Sequence, residues 1–187
     1  MTAELEEFLS YYVSGETTRL FNNYFQRSDV KKGRHLLKPG QECNYLAFIQ
    51  QGCFRVYYYD LKGKEIITWF SFEEMVITDM LGFYTTGRAS FYVEALEDSI
   101  IYKIKKVDLE KLYKQHPDCV HFGKKFAEEA LTLLMDRTMS LHTKSAEERY
   151  NELLTRPDFL QKIPLKYLAS YLGITDTSLS RIRKNIR

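Results

Sequence analysis

Residues 163–187 read IPLKYLASYLGITDTSLSRIRKNIR, and the spacing of their apolar residues, breaker and caps governs how the rest of the chain is read. Pro164 suits the start of a helix, because its missing N–H would have had no partner in a first turn. Leu165, Leu168, Ala169 and Leu172 then fall on one face at helical spacing. Gly173 can take the positive φ that ends a helix. Thr175 or Asp176 can cap a second helix whose inward residues are Leu179 and Ile182. Ala169 is small where two helices must approach. The other face of the second helix carries Thr177, Ser178, Arg181, Lys184 and Asn185, with Arg183 nearby, all able to bond base edges or phosphates. The pattern predicts a helix-turn-helix; by spacing alone, a plain helical hairpin with a solvated basic face would read the same way.

Charge separates the two. Residues 161–187 hold six Lys/Arg and one Asp, against 21 Lys/Arg and 24 Asp/Glu in the first 160, so a formal net charge of +2 conceals a basic tail on a slightly acidic body. That asymmetry suits a terminal nucleic-acid module, since phosphate attraction supplies much of the affinity. With 187 residues the chain is one large domain or two small ones, and 44% hydrophobic content is enough for a core. Fourteen Tyr and twelve Phe fit sheet-containing structure better than disorder. The N-terminal MTAELEEFLSYY is acidic, with no apolar run behind a basic start, and no stretch approaches bilayer length, so neither a secretory signal nor a membrane partner is expected. Cys43, Cys53 and Cys119 are scattered and odd in number, unlike a disulfide framework or a C-x-x-C knuckle. The expectation is a reduced, cytoplasmic protein.

Residues 2–12 and 16–26 read as short helices. From about Asp29 short β-rich runs alternate with turns: Val30 to Leu37, Tyr45 to Gln50, Cys53 to Tyr59, Glu65 to Phe72, and again over 91–106. Phe54, Val56 and Tyr58 point one way, Arg55, Tyr57 and Tyr59 the other, and DLKGK at 60–64 is a hairpin signal with Gly at the left-handed position. Many short strands at this spacing imply a sandwich or barrel. Asp108 to Gln115 reads as a short helix, and Pro117 opens a long one running to about His142. Along it Gly123, Ala127, Ala130, Leu134, Arg137 and Leu141 form a stripe in steps of three and four, beside a second stripe of Phe122, Phe126 and Leu133. One stripe can pack on the sheet domain while the other meets a partner; a helix packing only on its own domain is the alternative. Ser145 to Glu148 is a capping box opening a helix to about Leu154, which Pro157 closes. The expected fold class is α+β, with domains at 1–116 (a β-barrel with N-terminal helices), 117–144 (a long helix) and 145–187 (a helix-turn-helix).

A β-barrel, a long helix and a C-terminal helix-turn-helix in that order resemble the Crp/Fnr family, the cyclic-AMP-receptor-like bacterial transcription regulators, over essentially the whole chain. Gly33, Gly40, Gly52 and Gly63 fall at the turns of that family's cyclic-nucleotide-binding barrel, a double-stranded β-helix. SAEERY at 145–150 and LASYLGITDTSLSRIRK at 168–184 are similar to its DNA-binding half. The resemblance implies a non-enzymatic regulator that binds double-stranded DNA as a homodimer on a roughly palindromic operator, with RNA polymerase and an unidentified small-molecule effector as further candidate partners. It also implies the roles of sensory domain for 1–116, dimerisation helix for 117–144 and DNA-binding domain for 145–187. Arg181 aligns with an arginine the family uses on guanine. Thr177, Ser178 and Arg181 are therefore the candidate base contacts, and Lys166, Arg183, Lys184 and Arg187 the phosphate contacts. Gly123, Ala127, Ala130, Leu134 and Leu141 are the dimerisation candidates. The family usually continues past the second helix into a β-hairpin wing; this sequence stops at Arg187, so the expectation is a helix-turn-helix lacking a full wing, with weaker binding or more dependence on the dimer.

The barrel fits the family's ligand motif poorly. Members that bind cyclic nucleotides meet the ribose with a Gly-Glu pair and the phosphate with an Arg-Ser pair. Here the first pair corresponds to Thr78 and Asp79 and the second to Ala89 and Ser90, with Arg88 displaced by one residue, which on a strand reverses the side chain. The hydroxyls that meet the base fall near Leu134 and Met135. Asp79, Arg88 and Ser90 are the candidate ligand pocket, with a solvated loop as the other reading, and cyclic AMP is not expected. No cofactor is assigned. The N-terminal cysteines of the family's iron–sulfur sensors are missing, and His35, His116, His121 and His142 form no spaced pair for haem or metal. The clustered ligands of a cupin enzyme and the constellations of catalysis are likewise not seen. The competing function is a cyclic-nucleotide-binding or protein-interaction module without sequence-specific DNA binding.

Overall fold

The computed structural model describes residues 3–186, apart from the side chains of Asn22 and of residues 157–159. Two helices open it, α1 (Ala3–Ser10) and α2 (Gly15–Asn22), the second capped by the Ser14 side chain. Strands β1 (Gln26–Val30), β2 (His35–Leu37), β3 (Tyr45–Gln51), β4 (Phe54–Tyr59), β5 (Glu65–Ser71) and β6 (Val76–Ile77) follow. After them come the short helix α3 (Met80–Tyr84), strands β7 (Tyr92–Ala95) and β8 (Ser99–Lys105), and helices α4 (Lys106–Gln115) and α5 (Pro117–Thr143). Helices α6 (Ala146–Leu154), α7 (Pro157–Lys162), α8 (Leu165–Tyr171) and α9 (Asp176–Asn185) complete the chain.

The strands form two four-stranded sheets, ordered β1-β8-β3-β6 and β2-β7-β4-β5. In the first, β8 pairs antiparallel with both β1 and β3, and a register shift after Ile49 bends β3 near Gly52. Gly52 needs its freedom: φ is +115°, and a Cβ there would collide with Ser99. The β4–β5 turn is tied by Asp60, whose carboxylate accepts the Lys62 and Lys64 N–H groups at 2.8 and 2.9 Å. Sequence alternation in β4 misstates its burial, since Phe54, Arg55, Val56 and Tyr57 are all buried. Arg55 is held there by Glu94 on β7, with Nη2 to Oε2 at 2.7 Å, and His35 on β2 faces the same carboxylate at 3.5 Å. The helix reading that ran to residue 26 overshoots: β1 begins at Gln26. Helices α3 and α7 and strand β6 carried too few periodic residues to be read from sequence.

By packing, the chain divides into two compact units, one of residues Met1–Val56 with Phe70–Glu129 and one of residues Tyr57–Trp69 with Ala130–Arg187. In the first, Phe122 at the start of α5 meets the rings of Phe8, Tyr12 and Phe21 from α1, its following loop and α2. Tyr12 Oη donates to Glu129 at 2.6 Å, and burial with that carboxylate pushes the phenol well above its ordinary value. In the second, the core comprises Tyr150, Leu153, Ile163, Leu168, Ala169, Tyr171, Leu172 and Leu179. The capping box is formed: Ser145 Oγ accepts the Glu148 N–H, and Glu148 accepts the Ser145 N–H at 2.7 Å.

Candidate nucleic-acid interface

The helix-turn-helix is built as its residues dictate. Leu168 and Ala169 are buried, so α8 and α9 can approach closely over a residue with no side chain beyond Cβ. Helix α8 ends at Gly173, whose φ of +72° allows the Ile174 N–H to turn back to the Ala169 carbonyl at 3.0 Å. Thr175 caps α9, its Oγ1 accepting the Ser178 N–H at 3.2 Å. Leu179 is buried and Ile182 half-buried beneath it. Leu165 departs from the expected inward face and is 48% exposed. It lies in the first turn of α8, where Pro164 and Lys166 on either side are exposed as well.

Outward from this core, Thr177, Ser180, Arg181 and Lys184 are exposed at steps of three and four, one polar face along α9. Ser180 was not singled out by sequence, though its spacing from Thr177 and Lys184 is the signal that finds it. Ser178 is half-buried and its hydroxyl lies 3.0 Å from Thr175 Oγ1, within the cap. Arg183 is half-buried, Lys166 exposed, and Arg187 lies outside the described residues. The face therefore offers donors and hydroxyls beside a helix N-terminus, an arrangement suited to phosphate and base edges.

Helix α5 carries the second feature. Every residue from Leu131 to Asp136 is exposed, including Leu131 at 57%, Leu134 at 58% and Met135 at 59%. Ala127, Leu131, Leu134, Thr138 and Leu141 follow one another at steps of four and three, the spacing of a coiled-coil seam. Ala127 and Ala130 are half-buried, while Leu134 and Leu141 are exposed. Gly123 is used inside the subunit: a Cβ there would collide with the Tyr113 hydroxyl. Leu131 and Met135 were missed because the stripe read from sequence runs one heptad position to the side, through Arg137.

The barrel segment expected to meet a ligand uses its polar groups internally. Asp79 is buried and caps α3, Oδ1 accepting the Gly82 N–H at 3.1 Å while Oδ2 accepts from the N–H groups of Ser90 and, at 3.0 Å, Phe91. Arg88 is exposed, and its Nη1 donates to the Gly40 carbonyl at 2.9 Å. The Ser90 side chain is exposed. Gly82 lets α3 sit directly on residues 88–89, since a Cβ would collide with the Arg88 carbonyl. Thr78 Oγ1 donates to the Tyr45 carbonyl at 2.9 Å beside the buried Cys43, whose thiol burial holds above its ordinary value. Among the described residues no group of three or more His, Cys, Asp or Glu is placed to hold a metal, and no helix is long and apolar enough to cross a membrane.

Residues 27–116 match the model of the cyclic nucleotide-binding domain. The fumarate and nitrate reduction regulatory protein of Salmonella typhi is 27% identical over 183 residues, covering 89% of this chain and 71% of that protein; its Escherichia coli (strain K12) counterpart is 26% identical over the same length. Among solved structures, FixK2 from Bradyrhizobium japonicum superposes with a TM-score of 0.76 at 19% identity, covering 87% of this chain and 84% of that one. A transcriptional regulator of the Crp/Fnr family from Eubacterium rectale gives 0.73 at 17% identity, covering 95% and 85%. The chain is thus similar in sequence to fumarate and nitrate reduction regulatory proteins and in fold to solved Crp/Fnr-type regulators. In chain order it has antiparallel sheets, a long helix and a C-terminal helix-turn-helix. The matched domain ends at His116, one residue before Pro117 opens α5.

Proposed function

We propose that this protein is a Crp/Fnr-type transcription regulator that reads a roughly palindromic DNA operator as a homodimer paired along α5. The exposed seam of Ala127, Leu131, Leu134, Thr138 and Leu141 carries the reading. Residues 131–136 are all exposed, and a helix that presents apolar residues at coiled-coil spacing is stable when a second helix buries them. Two-fold pairing there would set two copies of α9 in successive major grooves, about one helical turn apart. Thr177, Ser178 and Arg181 read bases, while Lys166, Arg183, Lys184 and Arg187 hold phosphates. In this assignment residues 1–116 sense, 117–144 pair and 145–187 read, in the cytoplasm and in contact with RNA polymerase. A small effector in the barrel would control the pairing geometry by shifting the population of two states. Cyclic AMP does not suit that role, because the N–H groups of Ser90 and Phe91 already bind the Asp79 carboxylate.

Selection of sites from a random duplex pool, with and without a panel of nucleotides, tests the proposal. The expected result is a pair of inverted half-sites, unaffected by cyclic AMP. Failure to enrich any paired site would overturn it in favour of an interaction module.

A further inference from the structure

Three consecutive residues at the end of α8 are each held by a different element of the same compact unit. Ser170 turns its hydroxyl to β5: Oγ accepts the Ile67 N–H at 3.0 Å and donates to the Glu65 carbonyl at 3.2 Å. Strand β5 is the edge of its sheet, and groups two residues apart on a strand share one side, so a single hydroxyl stands in for a missing neighbouring strand. The Tyr171 carbonyl accepts from Arg137 of α5, whose guanidinium lies 3.7 Å from the centre of the Tyr171 ring. The Leu172 carbonyl accepts from Arg149 Nη2 of α6 at 2.8 Å. Arg149 Nη1 donates to the Lys144 carbonyl and reaches those of Ser140 and Leu141 at the end of α5, at 3.4 and 3.5 Å. Both cations thus sit at the negative ends of helix dipoles.

None of these contacts is needed to close the helix-turn-helix, whose core is Leu168, Ala169, Leu172 and Leu179. What they restrict is rotation of α8 about its own axis. Helix α9 begins four residues after Leu172, beyond one left-handed glycine and a capped turn, so the last turn of α8 carries α9 with it. We propose that residues 170–172 form a three-way socket setting the direction of α9 against the end of α5, and that Ser170 and Arg137 are positioning residues that fix which half-site spacing the dimer accepts. The inference rests on the dimeric DNA reading above.

The test compares the wild-type chain with Ser170→Ala, Arg137→Met and Arg137→Lys on duplexes whose selected half-sites are separated by one base pair more or fewer. Dimer mass, helix content and exchange of the Ile67 amide are followed alongside. Ser170→Ala should keep its fold, its dimer and its base preference within each half-site, while its preference for the best spacing falls by about fivefold, the scale of one lost hydrogen bond. Its Ile67 amide should exchange faster than in the wild type. Arg137→Met should lose more of the spacing preference, and Arg137→Lys, which keeps the charge without the planar stack, should lie between. Should Arg137→Met fail to fold, Ser170→Ala and Arg137→Lys carry the comparison. Variants with wild-type spacing preference would overturn the socket alone, as would an Ile67 amide equally protected in Ser170→Ala. A wild-type chain with no paired site would overturn the dimeric reading and the socket with it.

Discussion

Asp79 and Thr175 perform the same local task in two parts of the molecule. Each precedes a helix and accepts an N–H from its first turn, Asp79 from Gly82 at 3.1 Å and Thr175 from Ser178 at 3.2 Å. Beyond that they diverge. Asp79 is buried, and its second oxygen gathers the N–H groups of Ser90 and Phe91, so the cap also closes residues 85–91 onto α3. Thr175 is exposed, and past it Thr177, Arg181 and Lys184 stand open along α9. Polar groups in the barrel segment are consumed in holding its own shape, while those of the reading helix are left for something outside the chain. Under the proposed DNA-reading role the two caps separate: one surrounded by satisfied donors is architecture, and one followed by an outward polar face is open to serve as an interface.

The comparison assumes that α9 is presented in pairs, so the largest effect should come from the seam. Leu131→Lys would place an unpaired ammonium on the dimer axis, at a cost of about 3–5 kcal/mol. Analytical ultracentrifugation should then find monomers, with operator affinity lower by about 100-fold or more; a dimer of wild-type strength would break the pairing argument. Next is Asp79→Ala. It strands three N–H groups, each costing about 1–3 kcal/mol, so stability should fall by about 3 kcal/mol or more. Calorimetry should show Tm lower by roughly 6–12 °C, with base preference intact below the transition. An unchanged Tm would mean Asp79 is not the clamp of its segment, and the contrast with Thr175 would collapse.

Much of the reading head was legible because its signals are local. Gly173, Thr175, Leu168, Leu179 and the Ser145–Glu148 box act within a few residues of themselves, and periodicity places them. The barrel turns at Gly33, Gly40, Gly52 and Gly63 were legible for the same reason, each having positive φ. What sequence could not supply was the partner of a side chain reaching across elements. Asp79 looks like a loop carboxylate until the N–H groups of Ser90 and Phe91 are seen to close on it. Arg137 falls on the right stripe of α5 for an interface yet lies on the Tyr171 ring. Gly123 looks like room for a partner helix and is room for Tyr113. Ser170 carries no pattern, since its partners are backbone groups of an edge strand about a hundred residues earlier.

Smaller effects sharpen the reading-helix side of the comparison. Arg181→Ala should cost about 1–3 kcal/mol of discrimination at one base pair per half-site and leave the others alone; uniform weakening across all sequences would reassign Arg181 to a phosphate. Thr175→Ala should cost about 1 kcal/mol of stability, a fraction of the Asp79 effect, because water can replace an exposed cap.

The smallest effect distinguishes caps by chemistry. Glu148 accepts the Ser145 N–H at 2.7 Å, and that N–H together with the Ser145 hydroxyl holds its carboxyl below the ordinary value of 4.5. A folded value below the unfolded one contributes stability that is complete above the ordinary glutamate range and is lost as pH falls through the depressed value. Acidification below pH 4.5 should therefore fray the first turn of α6, seen as faster exchange of the Ser145 amide, while the Ser178 amide under the Thr175 hydroxyl stays protected. Loss of both amides together would mean that the unit opens as a whole on protonation of other groups. Loss at Ser145 alone would show that the two exposed caps of the reading unit are independent, and that only the carboxylate one answers to pH.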